Sequence, residues 1–172
     1  MGKRSIKENK NIWFTSREEA GLTRAQASEL MDYVSESRIE KIESDKAVVH
    51  PEDVTAMAKA YKKPVLCNYY CTHECQIGIE NVPEVPHSSL SEISLAILSS
   101  LNALNRQKDR LIEIAEDGRM DDDELPDFVK IQADLNKISL TVETLKLWVN
   151  TAIAEGNVNK KLLDDLREKL SD

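Results

Sequence analysis

Three cysteines and a histidine lie close together in the middle of the chain, and their side chains could form a metal site. Cys67, Cys71, His73 and Cys75 fall within one short segment, and these three cysteines are all that the chain contains. Three thiolates and an imidazole are a suitable tetrahedral set for zinc. Their spacing is not that of a standard zinc finger or ribbon, and free cysteine is a common small buried residue. We therefore predict packed, reduced thiols and no cofactor, with zinc bound by these four residues as the alternative.

The acidic stretch 113–124 is a second group of ligand-type side chains. If Gly118 is the sixth position of a calcium-binding loop, the acids at positions five, nine and twelve are Asp117, Asp121 and Glu124. Position one would be Glu113, and position three would be Ala115, whose side chain cannot coordinate a cation. The favoured interpretation is a turn between two helices, with its acids at the positive end of the second helix.

Catalytic motifs are not found in the sequence. It contains no glycine-rich phosphate loop and no Gly-x-Ser-x-Gly, and its three histidines, His50, His73 and His87, are far apart in sequence. An active site normally shows convergent titratable groups on a rigid scaffold. We therefore expect a protein that is not an enzyme.

Composition favours a helical protein, and its charge is unevenly distributed. The chain is 41% hydrophobic and 31% charged, with only five Gly and five Pro in 172 residues, which indicates one or two folded all-α domains. Residues 1–63 contain 12 Lys and Arg against 11 Asp and Glu, so most of the net charge of −8 lies in the remainder. Nucleic acid, if bound, is expected at the N-terminal part.

No apolar run is long enough to span a membrane, and the N-terminus does not resemble a signal peptide, so a cytoplasmic protein is expected.

The segment 21–46 predicts two short helices joined by a tight turn. Thr23 and Gln26 have the spacing of a capping box at the start of the first helix. Its buried face is predicted to consist of Ala27, Leu30 and Met31. Ser35 is a suitable cap for the second helix, whose buried residues would be Ile39 and Ile42. This pattern is typical of a helix-turn-helix, in which the second helix enters the DNA major groove.

These residues resemble the Cro-repressor, or xenobiotic-response-element (XRE), family of bacterial and phage regulators. The matching runs are Leu22–Ser28 and Ile39–Glu43, and the segment 48–64 is similar to the family's fourth helix and its exit. In that segment Pro51 suits the first position of a helix, whose apolar face is predicted to consist of Val54, Met57, Ala58 and Tyr61. The resemblance covers about residues 9–70 and implies a five-helix, lambda-repressor-like DNA-binding domain. It also implies an ion pair between Arg17 on the first helix and Glu43.

The resemblance, together with the helical spacing, places the DNA-contacting side chains. Arg24 and Lys46 are expected to bind phosphates, whereas Ser37, Glu40 and Lys41 are expected to face base edges. The same surface is flanked by Ser35, Glu36 and Arg38. The second helix carries three glutamates against two basic residues, which predicts weak non-specific attraction to the DNA backbone.

The C-terminal part predicts a long helical hairpin. A first helix is expected over 88–116, with apolar positions Leu90, Ile93, Ile97, Leu101, Leu104 and Leu111. A second is expected over 122–154, with a seam at Phe128, Ile131, Leu135, Ile138, Val142, Leu145, Val149 and Ala152. Such alternating spacing of three and four residues is typical of coiled coils and bundles. A shorter third helix is expected over 158–170.

The sequence therefore predicts an all-α protein with a helix-turn-helix domain over 1–78, a linker over 79–89 and a helical hairpin over 90–172. The hairpin is expected to mediate oligomerisation or to bind a partner protein. The predicted function is a sequence-specific, double-stranded-DNA-binding transcriptional regulator that acts as a homodimer, without membrane association. The alternative is a protein-interaction module whose helix-turn-helix no longer binds DNA.

Overall fold

The described part of the chain consists of helices and the turns and connections between them. The computed structural model describes residues 10–116 and 118–171, and within them the regular secondary structure consists of ten α-helices and no strand. The all-α prediction is thus confirmed. The helices are α1 (Ile12–Glu19), α2 (Arg24–Leu30), α3 (Glu36–Glu43), α4 (Pro51–Ala60), α5 (Val65–His73), α6 (Gln76–Asn81), α7 (Leu90–Arg106), α8 (Lys108–Ala115), α9 (Leu125–Ala154) and α10 (Lys160–Ser171).

These helices divide into two compact units. One contains the described residues up to Glu84 together with those from Asn150 onward, and the other runs from Val85 to Val149. The division falls inside α9, which is continuous across it. None of the described helices combines the length and the apolar character needed to cross a bilayer.

Local capping determines where the helices of the first unit begin. Thr23 and Gln26 form the predicted capping box: the Thr23 hydroxyl accepts from the Gln26 amide, and the Gln26 side chain accepts from the Thr23 amide. Ser35 caps α3 by accepting from the amide of Arg38 at 3.2 Å. Pro51 is the first residue of α4, as predicted. Each cap satisfies amide groups that have no partner within the helix.

The core of the first unit is formed by residues from α1 to α5. It includes Trp13 and the apolar residues of α3 and α4. Ile39 and Ile42 are buried, as are the four expected residues of α4 and its C-cap, Val54, Met57, Ala58 and Tyr61. These predictions are confirmed.

The prediction for Leu30 is wrong, because this residue is 57% exposed. The buried face of α2 lies instead around Ala27 and Met31, and the hydroxyl of the neighbouring Ser28 donates to the carbonyl of Val34 at 2.9 Å. α2 ends at Leu30, after which the backbone of Met31 is extended, and Val34 completes the core in the turn. Helical spacing therefore does not apply beyond this point.

α5 and α6 are in close contact. The predicted boundary at residue 78 falls inside α6, and the non-helical connection runs from 82 to 89. A Cβ atom on Gly78 would lie 2.2 Å from the carbonyl oxygen of Cys71. Only glycine allows the two helices to approach this closely.

The second unit is an antiparallel hairpin. Gln107 donates to Asp134 at 2.6 Å, and Arg110 pairs with Asp127 at 3.0 Å, so α7 and α8 pack along α9 in opposite direction. The single predicted helix over 88–116 is interrupted at Gln107, whose amide bonds to the carbonyl of Leu104, three residues back. The interruption lies in the polar run 105–108, where Asn105 is a weak helix former.

The predicted seam of α9 is only partly correct. Of its eight positions, Ile131 and Ala152 are buried, four are half-buried, and Leu135 and Val142 are exposed. In their place, the buried face of α9 includes Asp134, Thr141 and Thr144. The Thr hydroxyls donate to the helix's own carbonyls, and Asp134 accepts from Gln107. Polar side chains can occupy a buried face once their hydrogen bonds are satisfied.

Candidate nucleic-acid interface

One face of α3 is anchored in the core, and the opposite face is open. Ile39 and Ile42 are nearly inaccessible to solvent, which fixes the rotation of the helix about its axis. Ser37, Glu40 and Lys41, which lie three and four residues apart on one helical face, are exposed together with Glu36. The structure thus places the three predicted base-facing residues on one surface.

A buried ion-pair network holds the C-terminal end of α3. The Glu43 carboxylate is inaccessible to solvent and accepts from Arg17 at 2.5 and 3.2 Å and from Arg24 Nε at 2.8 Å. Arg17 also donates to the Leu22 carbonyl. Burial lowers the pKa of Arg17, but the hydrogen bonds and charges of Glu43 and Glu18 together outweigh this effect and raise it. The Arg17–Glu43 pair implied by the resemblance is confirmed, and Glu43 is a structural residue.

Arg24 belongs to this network as well as to the predicted phosphate-binding set. Its Nε is held by Glu43, and about a third of its side chain (33%) is exposed at the start of α2. The guanidinium is therefore oriented by the protein.

A second network holds the N-terminal part of α3. Arg38 donates to Asp53 at 2.6 Å and to the carbonyl of Val48 at 2.8 Å. Asp53 in turn accepts from the amide of His50, which caps α4. Arg38 therefore joins α3 to α4. Ser35 is similarly the cap of α3, so two of the three predicted flanking residues, Ser35 and Arg38, also have structural partners.

The charge of the exposed α3 surface follows from these pairs. The positive charges of Arg17 and Arg24 face Glu43, and that of Arg38 faces Asp53. Glu36 and Glu40 remain exposed beside Lys41, with Lys46 exposed in the connection to α4. The surface that would face DNA is thus close to neutral.

Two exposed apolar side chains next to α3 were not predicted as part of the site. Tyr33, in the turn before α3, is 65% exposed, and its hydroxyl donates to the carbonyl of Glu52 at 2.8 Å. Val48, in the connection after α3, is 75% exposed, and its carbonyl is held by Arg38. The sequence could have indicated them, because both are apolar residues in turns, where they are not part of the buried face of a helix.

The cysteine cluster lies on α5 and at the start of α6. All three thiols are free and half-buried, and burial together with the nearby Cys71 raises the pKa of the Cys67 thiol. The His73 ring stacks on Tyr69 with ring centroids 4.2 Å apart. No group of three or more His, Cys, Asp and Glu in the described residues is placed to hold a metal ion. The structure therefore does not bring the proposed zinc ligands together.

The acidic stretch 113–124 has structural partners at both ends. Glu113 pairs with Arg110 at 3.1 Å, and the Glu124 carboxylate accepts from the amide of Asp121 at 3.1 Å. Asp117, the acid at the fifth position of the hypothetical calcium loop, lies outside the described residues. The partners of the flanking acids agree with a turn between helices.

Comparison with known proteins identifies the N-terminal segment. Residues 15–64 match a family model described as a helix-turn-helix domain. No curated protein and no solved structure matches the chain. The matched segment includes all of α2, α3 and α4 and both ion-pair networks. Residues 15–64 are therefore a helix-turn-helix domain of the Cro-like type, as the resemblance predicted, and such domains are typical of DNA-binding regulators.

Proposed function

We propose that the protein is a sequence-specific DNA-binding transcriptional regulator that reads the major groove with α3. The observation that carries this proposal is the position of α3 itself. Glu43 and Arg38 hold the helix from both ends, while Ser37, Glu40 and Lys41 remain exposed on one face. A recognition helix needs this combination of a fixed axis and free side chains.

The exposed side chains have the chemistry of base readout. Glu40 can accept from the exocyclic amine of cytosine, Lys41 can donate to the acceptors of guanine, and Ser37 can bond to either type of group. Glu40 and Lys41 lie three and four residues after Ser37, so each shares a helical face with Ser37. Their opposite charges favour a site that presents both a donor and acceptors.

Backbone binding would come from few residues. Arg24 is oriented by Glu43 and partly exposed, and Lys46 is exposed after α3. The exposed acids Glu36 and Glu40 repel phosphates, so non-specific binding is weak and base contacts supply an unusual share of the affinity. Two recognition helices in a homodimer would restore affinity by reading two half-sites. Such a regulator would act in the cytoplasm, where a bacterial chromosome lies.

A salt titration of DNA binding tests this proposal. Genomic duplex fragments, including the region upstream of the protein's own gene, are bound at several salt concentrations. With Arg24 and Lys46 as the phosphate contacts, the logarithmic salt slope should be about −2 per bound chain. Binding to every fragment with equal affinity, or no binding at low salt, would contradict the proposal.

The alternative function is a protein-interaction module. It is favoured by the near-neutral surface of α3 and by the acidic hairpin, which could hold a partner protein. The same titration separates the two functions, because an interaction module binds none of the fragments specifically.

A further inference from the structure

A cavity of about 280 Å³ opens in the second unit beside the first turns of α7. Its walls come from the connection that precedes α7, from α7 itself and from the middle of α9. One water molecule takes up about 30 Å³ of the liquid, so the cavity has room for a ligand of about nine non-hydrogen atoms. The proposed DNA-binding function does not use this cavity, because α3 belongs to the other unit.

The floor of the cavity is already packed. Ile93 on α7 and both Thr141 and Thr144 on α9 line it, and these three residues are between 2% and 8% exposed. Ser88 lines the wall that the connection forms, and Val85 in the same connection is buried. A site whose side chains are held in place before binding loses little conformational entropy when a ligand enters.

The two threonines offer hydrogen-bond acceptors to a ligand and no donor. The hydroxyl of Thr141 donates to the carbonyl of Lys137, and that of Thr144 donates to the carbonyl of Leu140, each at 2.7 Å. A hydroxyl has one hydrogen and two lone pairs, so each of these groups can only accept from a further partner. Because their own hydrogens are satisfied, they can also lie against an apolar group without cost.

Glu92 gives the mouth of the cavity a negative charge. Its side chain is exposed, and its Oε2 accepts from the amide and from the hydroxyl of Ser89, both at 2.8 Å. These hydrogen bonds, with a further contribution from the charge of His87, lower the pKa of the Glu92 carboxyl, so it is ionised at neutral pH. The other oxygen of the carboxylate can accept from a ligand.

The cavity therefore favours a cationic donor with an apolar body. An anionic ligand would be repelled by Glu92 and would receive no hydrogen bond from either threonine of the floor. A neutral apolar ligand would fill the cavity but would leave the carboxylate without a new partner. An ammonium group provides three donors and a positive charge, and charge-assisted hydrogen bonds to a carboxylate are the stronger kind.

We propose that this cavity binds a small organic ammonium ion, with its apolar body against Ile93 and the two threonines and its ammonium group bonded to Glu92. The inference goes beyond the DNA-binding function and does not rest on it. The site lies in the unit that does not contain α3, and binding is measured without DNA.

Isothermal titration calorimetry of the full chain tests the proposal. Two ammonium probes, phenethylammonium and hexylammonium, are compared with phenethyl alcohol and with hydrocinnamate at about pH 7.5, where a primary alkylamine is protonated. We expect dissociation constants of about 1 mM or below for both ammonium ions. Phenethyl alcohol, which has the same body without the charge, should bind about tenfold more weakly. Hydrocinnamate, which carries a negative charge, should not bind at about 10 mM.

Glu92→Gln tests the role of the carboxylate. A glutamine at this third helical position can still form the capping box with Ser89, so α7 is retained. The variant should weaken both ammonium probes about tenfold and change the affinity for phenethyl alcohol less than about twofold. Glu116→Gln is the matched control, because it removes the same charge from an exposed residue of the same unit outside the cavity. It should change the affinity for every probe less than about twofold.

Ala96→Leu tests the location of the site. Ala96 lines the cavity on α7, and leucine is a good helix former that adds three carbon atoms there. This variant should weaken phenethyl alcohol and both ammonium probes alike, by more than about fivefold, because the added carbon atoms take up ligand space. Circular dichroism should give the same helix content for the wild type and the three variants.

Four outcomes would overturn the proposal. The first is a wild-type protein that binds neither ammonium probe at about 10 mM. The second is equal affinity for phenethylammonium and phenethyl alcohol. The third is a Glu92→Gln variant that binds the ammonium probes as the wild type or Glu116→Gln does. The fourth is an Ala96→Leu variant with wild-type affinity for them. A protein that binds the ammonium probes but no DNA would instead contradict the proposed function alone.

Discussion

Glu43 shows how an acid in the candidate recognition helix can serve the fold instead of a DNA interface. Its carboxylate is fully buried and shared by Arg17 and Arg24, which come from α1 and α2. The pairing joins three helices through one side chain. It also removes one negative charge from the surface that would face phosphates, which a count of residues in α3 would miss.

Replacing Glu43 with Ala should therefore destabilise the domain. The change removes the buried carboxylate that faces Arg17 and leaves its guanidinium with Glu18 and the Leu22 carbonyl, and breaking such a buried pair typically costs about 3–5 kcal/mol. Urea unfolding should report this loss of free energy. Glu40→Ala is the matched control, because Glu40 is exposed on the same helix, and it should alter stability by less than about 0.5 kcal/mol. Equal stability of the two variants would mean that the network contributes little.

Lys41 and Lys46 should differ in what their loss does to DNA binding. Lys41→Ala should cost about 1–3 kcal/mol on the preferred site and relax the preference at one base pair. Lys46→Ala should weaken binding to all sequences alike and make the salt slope shallower by about 1. Fluorescence anisotropy with single-base variants of the site distinguishes these effects. If both lysines behaved in the same way, α3 would not be reading bases.

The helices of the N-terminal unit depend on caps whose partners are close in sequence. Ser35→Ala removes the acceptor for the Arg38 amide, which should destabilise the domain by about 1 kcal/mol. Ser37→Ala is the control, since Ser37 is exposed on the outer face of the same helix. Its effect on unfolding in urea should stay below about 0.5 kcal/mol. Equal urea midpoints for Ser35→Ala and Ser37→Ala would show that the cap does not stabilise the domain.

Sequence predicted these elements well wherever the determining contacts are local. The caps of α2 and α3, the proline that starts α4 and the four apolar residues of α4 and its C-cap depend on neighbours within a few positions, and all were confirmed. Leu30, the last residue of α2, is exposed although helical spacing places it beside Ala27. The predicted seam of α9 was only partly correct, because Asp134, Thr141 and Thr144 are buried with their hydrogen bonds satisfied. The partner of Asp134 is Gln107, between α7 and α8, which the sequence of α9 alone does not reveal.

The candidate site was less predictable than the fold. Helical spacing placed Ser37, Glu40 and Lys41 on one face, which the structure reproduces. The bond from Arg24 to Glu43 joins residues 19 positions apart, and that from Arg38 to Asp53 joins residues 15 apart. Such pairs depend on how helices pack, which spacing within one helix does not reveal. Only the Arg17–Glu43 pair was foreseen, and it came from the family resemblance.

At the scale of the whole molecule, charge is distributed unevenly along the chain. Residues 1–63, which include α3, carry 12 basic and 11 acidic side chains, whereas 20 of the 31 acids lie beyond residue 63. The acidic part would be repelled by DNA. The proposed DNA contact therefore lies before residue 64, and the acidic remainder of the chain is less suited to it.

A selection from random-sequence DNA duplexes tests the central claim, that α3 reads DNA sequence. The wild-type protein and Lys41→Ala are selected in parallel, and the bound duplexes are sequenced. We predict one enriched motif for the wild type, built from two half-sites about one helical turn apart, and reduced enrichment at one position of each half-site for Lys41→Ala. The claim would be contradicted if no motif were enriched and Lys41→Ala recovered the same pool of duplexes as the wild type.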